Sequence, residues 1–335
     1  MTPLRYLTPF AFLALLPLGG WLGGAWTFMA AAATPLCLTS LDAVLGEHEE
    51  RTDSAGTLPR WIPRLYVILQ LAATGWAAWW VSRSSTSLVE ALGITLSTGV
   101  LTGVFGFVAA HELIHSRSPR ERALGLGLLG TVLYMHFRVA HVYGHHSRAA
   151  TPDDPASARL GEGLYAFLLR SIAGQFGEAW HFERRRSGRN RMVEYLAIEA
   201  AFLLVIGLVS WRALAFAIAV AMIAVALLES FNYVAHYGLS RRLRPDGRPE
   251  SLAPRHSWNS ARRMNNASLF NMGRHSDHHR HMARSYEGLE PLNGAAELPS
   301  GYAAALLTAL VPPLWRKTMD QRARSVMSGT YSGTP

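Results

Sequence analysis

Between Arg5 and Asp42 the chain carries no charged side chain, an unbroken run of 36 residues, 6–41. A hydrocarbon core about 30 Å thick is crossed by about 20 helical residues rising 1.5 Å each, so this run is long enough to cross twice. Pro17, Gly19 and Gly20 mark the expected turn between the two crossings. Further uncharged runs cover 65–82 and 91–110, and a third, 195–235, is interrupted only by Glu199, Arg212 and Glu229. Split at Arg212, whose long side chain can reach the head groups from a tight turn, the third run also gives two spans. The expected set is six transmembrane helices at about 4–20, 22–40, 61–82, 89–110, 195–211 and 213–235. The first is too long, and too closely followed by a second, to be a cleaved signal. Residues 123–137 and 298–315 are shorter or broken by Pro299, Pro312 and Pro313, and read as buried or interfacial helices.

The basic residues give the orientation. With the N-terminus in the cytoplasm, only Arg83 and Arg212 of the 32 Lys and Arg fall in external loops. The clusters Arg184, Arg185, Arg186, Arg189, Arg191 and Arg241, Arg242, Arg244 then flank span ends. Cytoplasmic retention and lipid phosphates account for them, and for the net charge of +9, without nucleic acid. Residues 111–192 and 237–335 form a cytoplasmic cap on a single integral membrane domain, 1–335. The fold class is an all-α membrane bundle of six helices with a helical cap. One cysteine, Cys37, excludes an internal disulfide and a Cys-rich metal site.

The cap side holds the chemistry. Nine of the 14 His lie in four short stretches: His111-Glu-Leu-Ile-His115, His141-Val-Tyr-Gly-His145-His146, Asn232-Tyr-Val-Ala-His236, and His275-Ser-Asp-His278-His279. Spacing of four on a helix puts two imidazoles on one face. A paired HH preceded by His three or four residues earlier adds a third ring turned about 100° away, which suits two metals held between helices. One zinc takes four ligands, three of them from protein at a catalytic site, so nine candidates demand two metals. Imidazole suits Fe, Cu, Zn and Ni alike and does not choose between them. His48, His136, His181, His256 and His281 stand apart and read as interfacial or hydrogen-bonded residues. Taken alone, HELIH is also the zinc-hydrolase pattern with Glu112 as general base, but that reading leaves six histidines idle. A transport protein would place its ligands near the bilayer midplane instead.

These four stretches, with ATPDDPASAR (150–159) and HSWNS (256–260) between them, resemble the membrane-bound alkane 1-monooxygenases, within the wider fatty-acid desaturase and hydroxylase class of non-haem di-iron membrane proteins. The likeness runs in consistent order from LDAVLGE near residue 41 to LPSGY at 298–302. It implies six transmembrane helices, two irons under a cytoplasmic cap in a bacterial inner membrane, and terminal hydroxylation of an alkane or alkyl chain with O2 as co-substrate. By motif the ligands are His111, His115, His141, His145, His146, His236, His275, His278 and His279. Groups expected to support them or share in the chemistry are Glu112, Asp277 and Asn232, with Asp153 and Asp154.

The resemblance departs at two places. The alkane pattern usually has Glu before the His of the second and third stretches, where this chain has Ala140 and Ala235. Aryl-methyl hydroxylases such as xylene monooxygenase are similar to this sequence at the second. Aryl-methyl hydroxylation, fatty-acyl hydroxylation or desaturation on the same iron site is therefore the alternative activity. The expected reaction is RH + O2 + 2e⁻ + 2H⁺ → ROH + H2O. Its electrons come from outside, because the chain has neither the cysteines for an iron–sulfur centre nor a nucleotide-binding glycine motif. The family uses a rubredoxin or ferredoxin with its reductase, and a small acidic donor would be steered by the basic face.

Overall fold

A computed structural model describes residues 3–47 and 60–330, so His48 lies outside the described residues. The chain is mostly helical. A 3-10 turn, Pro3–Leu7, leads into α1 (Thr8–Leu22), and a second, Gly24–Phe28, into α2 (Met29–Leu45). After α3 (Trp61–Ser82) comes α4 (Leu88–Leu101), continued by a π turn, Thr102–Gly106, into α5 (Phe107–His115). The cap begins with α6 (Pro119–Thr131), and α7 (Phe137–Val139) and α8 (His146–Arg148) are joined by a second π turn, Ala140–His145. The amphipathic α9 (Leu164–Arg185) precedes α10 (Arg191–Val209) and α11 (Trp211–His236). The last part holds the short helices α12 (Arg263–Ser268) and α13 (His275–Arg280), then α14 (Tyr302–Ala309) and α15 (Pro312–Ser328). One small parallel pair, β1 (Trp258–Asn259) and β2 (Ala296–Glu297), ties the segment before α12 to the one before α14.

Among the described residues, five segments are long and apolar enough to cross a membrane: Gly24–Leu45, Trp61–Ser82, Leu88–His115, Arg191–Val209 and Trp211–His236. The run expected to give the first span forms the shorter α1, of 15 residues. Its expected turn is corrected: Pro17, Gly19 and Gly20 lie inside α1, and the chain reverses at Gly23 and Gly24. Those two have φ of 70° and 53°, the left-handed region that only glycine adopts without strain. Two further boundaries move. The helix of the fourth span runs on past residue 110 to His115 and carries the HELIH stretch in its last turns, as the spacing of its two histidines predicts. The break in the last run falls at Ser210, whose hydroxyl caps α11 by accepting from the Ala213 N–H at 3.3 Å.

Arg212 does not need the head groups. Its guanidinium donates to the carbonyls of Arg83 at 2.7 Å and Thr86 at 2.8 Å, joining two loops expected on one side of the membrane. The Gly24 N–H donates to Glu90 Oε1 at 2.9 Å, which brings the first turn to the same end. Exposed Trp21, Trp26, Trp79 and Trp211 ring that end, as interfacial aromatics do. His111, His115 and His236 lie at the opposite ends of their helices, in the last turns of α5 and α11.

Close packing of α4 and the π turn that continues it on α11 fixes the wall between those ends. A Cβ on Gly103 would stand 2.8 Å from the Leu227 Cβ and 3.0 Å from the Ala224 Cα, a backbone approach that small residues permit. Gly103→Leu is expected to destabilise the bundle by about 1–3 kcal/mol through overpacking, read as a lower thermal midpoint in detergent.

Candidate metal centre

Three pieces of chain end where their histidines meet. α5 delivers His111 and His115 one turn apart, α11 delivers His236 from its last turn, and α13 delivers His275, His278 and His279. Left-handed Phe270 and Asn271, with φ of 46° and 55°, turn the chain sharply toward α13. The Asn271 amide pins that turn, donating to the Tyr286 carbonyl at 2.9 Å and to the Tyr6 hydroxyl at 2.7 Å.

The nine rings form two groups. His111, His115, His141, His146 and His278 make one, and His145, His236, His275 and His279 the other. Within each group, one nitrogen per ring lies within 4.8 Å of all the others. The second stretch is divided between them in a way that α-helical spacing misses. In the π turn it is His141 and His146, five apart, that face one group, while His145 turns to the other. The fourth stretch keeps ordinary spacing, with His275 and His279 paired and His278 turned away.

The donor set fits metal ions. In the first group Nε2 of His141 lies 2.7 Å from that of His111 and 3.1 Å from that of His146, which is 3.1 Å from that of His278. In the second, the Nε2 atoms of His236, His275 and His279 form a triangle with sides of 3.1, 3.1 and 3.3 Å. Each such nitrogen either donates or accepts, so three of them cannot satisfy all three contacts of a triangle. The buried Nε2 atoms of His115 and His145 have no hydrogen-bond partner. Lone pairs converging in this way are what a cation needs. Burial first, and then the neighbouring imidazoles, hold His141, His275, His278 and His279 well below the ordinary imidazole range, which is the neutral, ligating form.

The carboxylates expected nearby take different places. Asp154 accepts from Nδ1 of His145 at 2.8 Å, from the Ser157 hydroxyl at 2.6 Å and from the Ala156 N–H at 3.1 Å. Although burial pushes it up, His145 and Ser157 hold it below its usual value. Among the described residues it is the one carboxylate on a clustered histidine. Asp277 faces away, accepting from His281 and Arg284 at 2.8 Å each and from the Glu290 N–H at 2.9 Å. Glu112 accepts from the Tyr286 N–H at 3.3 Å and lines a polar cavity of about 370 Å³ with His115, Arg60 and Arg117. Asp153 is exposed, and Ala140 and Ala235 are buried. HSWNS holds α13: Asn259 donates to the Ser276 hydroxyl at 2.7 Å and accepts the Ser276 N–H at 2.9 Å. Of the isolated histidines, His136, His181, His256 and His281 lie outside both groups.

On the membrane side, an apolar cavity of about 50 Å³ ends on His111, His141 and His275, so it meets both groups. Gly103, Val104, Phe107, Leu228 and Phe231 are among its walls, and Asn232 lines it too. It shares Val104, Leu227, Leu269 and Leu306 with a second apolar cavity of about 160 Å³ that runs on between α2, α4, α11 and α14. Sequence reading missed Glu229, which accepts from Tyr134, Ser171, Gln175 and Asn232 beside this cavity. The available signal was its charge inside an apolar run.

A bundle with apolar spans and two histidine groups able to hold metal at one end defines a class, and the profile of the fatty acid desaturase family matches residues 85–308, which hold all four histidine stretches. Alkane 1-monooxygenase 2 of Pseudomonas aeruginosa is 36% identical over 91% of this chain and 86% of its own. Alkane 1-monooxygenase 1 of the same organism is 37% identical over 91% and 85%. The xylene/toluene monooxygenase hydroxylase component of Pseudomonas putida is more distant, 28% identical over 94% and 87%. Within that class, the chain belongs to the alkane 1-monooxygenase family.

Proposed function

We propose that this chain is a di-iron monooxygenase that hydroxylates the terminal carbon of an alkane or alkyl chain. The observation that carries this reading is the apolar cavity ending on histidines of both metal groups, which leads a substrate without polar groups to the place where oxidation occurs. The nine histidines would hold two irons, five ligands on one and four on the other. Bound there, iron supplies the redox chemistry with O2 that an unactivated C–H bond requires and side chains lack. The chain's own residues do the rest. Phe107, Phe137, Leu228 and Phe231 surround the reacting end and exclude water. The second cavity takes the tail. Asp154 fixes the ring of His145, and the Asn259–Ser276 contacts fix α13.

In this reading α1 with its leading turn is the sixth span, and the histidine end is a cap facing the cytoplasm of a bacterial inner membrane. The 30 basic residues outside the Arg83 and Arg212 loops support that orientation. Electrons arrive from a rubredoxin or ferredoxin and its reductase.

The test is purified protein, reduced anaerobically and then given ¹⁸O2 with a panel of alkanes, alkylbenzenes and fatty acids. Labelled 1-alkanol is expected. Label found only in benzylic alcohols or hydroxy acids would favour the aryl-methyl or fatty-acyl alternative, an unlabelled alkene would mean desaturation, and turnover without O2 would overturn the reading. The shared residues set a further expectation. Leu306→Trp narrows the passage between the cavities, so the longest alkane accepted should shorten by several carbons. Short alkanes should change in kcat/KM by less than about threefold, since each methylene in an apolar pocket counts separately.

A further inference from the structure

Glu229 is a buried carboxylate with no cation within salt-bridge distance among the described residues. Four donors hold it instead. Oε1 accepts the Tyr134 hydroxyl at 2.9 Å, and Oε2 accepts the Ser171 hydroxyl at 2.6 Å and the amides of Gln175 at 2.7 Å and Asn232 at 3.3 Å. Three of these come from outside α11, so the carboxylate is fixed from several directions. Asn232, one turn further along α11, lines the apolar cavity, where the other polar side chains are His111, His141 and His275. Those rings direct Nε2 into the metal groups. An amide carries its NH2 and its carbonyl on opposite sides. With the NH2 given to Glu229, the Asn232 carbonyl oxygen is turned away from the carboxylate.

An alkane offers that oxygen nothing. The alcohol made from it does, since its new O–H has left water and lies among apolar walls. We propose that Asn232 accepts a hydrogen bond from the hydroxyl group of the alcohol product, and that Glu229 is the positioning residue that keeps Asn232 aimed at it. The inference rests on the hydroxylase reading and names the contact that separates product from substrate in the same cavity. The alcohol is then bound more tightly than its parent alkane and competes with it.

Binding without turnover tests this. The purified protein, kept anaerobic and without reductant, is titrated with n-octane and with 1-octanol against a displaceable fluorescent alkyl probe. Asn232→Leu is expected to weaken 1-octanol by about tenfold, the factor for a buried hydroxyl left unpaired, and to change n-octane by less than about twofold. Glu229→Gln should weaken 1-octanol by a smaller factor with n-octane again unmoved, and Asn232→Gln should restore part of the loss. A purely structural role would move both ligands together. That result, or an unchanged octanol-to-octane ratio, overturns the proposal; if Asn232→Leu fails to fold, Asn232→Ala decides by the same ratio. The two readings fail separately. A wild type that makes no alcohol from any alkane sinks the hydroxylase reading, whereas an active wild type whose ratio ignores Asn232 sinks only this one.

Discussion

Alanine at His145 is expected to leave the purified protein with about one iron per chain and to cut alkane turnover by at least about a thousandfold, the several kcal/mol that a catalytic metal contributes. His145 belongs to the four-histidine group, so its loss leaves His236, His275 and His279. It also leaves the buried carboxylate of Asp154 without the ring it binds. Alanine at His278 removes one of the five histidines of the other group and leaves four. It should therefore lower turnover as severely while losing less iron. Metal analysis beside turnover separates the two cases, and circular dichroism should show unchanged helix in both. Full activity in either variant, or one zinc per wild-type chain, would be incompatible with the nine-histidine centre.

That asymmetry could not be read from spacing alone. The histidine stretches and the order in which they occur are plain in the sequence, and so are the apolar runs, because charge is excluded from lipid over lengths that helical geometry fixes. The partition of His141, His145 and His146 is not, because an α-helix pairs residues four apart and the π turn at Ala140–His145 pairs those five apart. Nothing in HVYGHH announces the wider turn. Boundaries were lost in a similar way. Counting uncharged residues ends the fourth span at 110, short of the end of its helix at His115, and breaks the last run at Arg212, although the break belongs to a capping serine two residues earlier.

Carboxylates divide along the same line. Sequence marks Glu112, Asp277, Asp153 and Asp154 only as acids near histidines, whereas in the fold Glu112, Asp277 and Asp154 take different partners and Asp153 is exposed. Glu229 shows the limit most clearly. Its donors Tyr134, Ser171 and Gln175 lie 95, 58 and 54 residues away, so its role depends on contacts that no local pattern carries.

Asp154→Ala should lower iron affinity at the four-histidine group by about 10- to 100-fold and leave the five-histidine group unchanged, the usual cost of losing the partner that orients a ligating imidazole. The reason lies in how completely the carboxylate is held. Ser157 and the Ala156 N–H fix it within its own tight loop, and at 2.8 Å from Nδ1 it sets the tautomer of His145, leaving Nε2 free to ligate. Asp154→Asn keeps the shape but not the charge. Its carbonyl oxygen can still accept from Nδ1, so its effect should fall between wild type and alanine. Asp277→Asn is the control, because that carboxylate binds His281, Arg284 and the Glu290 N–H rather than a clustered ring. It should lower thermal stability without a preference between the two irons. Competition with a chelator, followed ion by ion, reads all three variants; equal loss of both irons in Asp154→Ala would show that Asp154 supports the fold of its loop rather than the ring of His145.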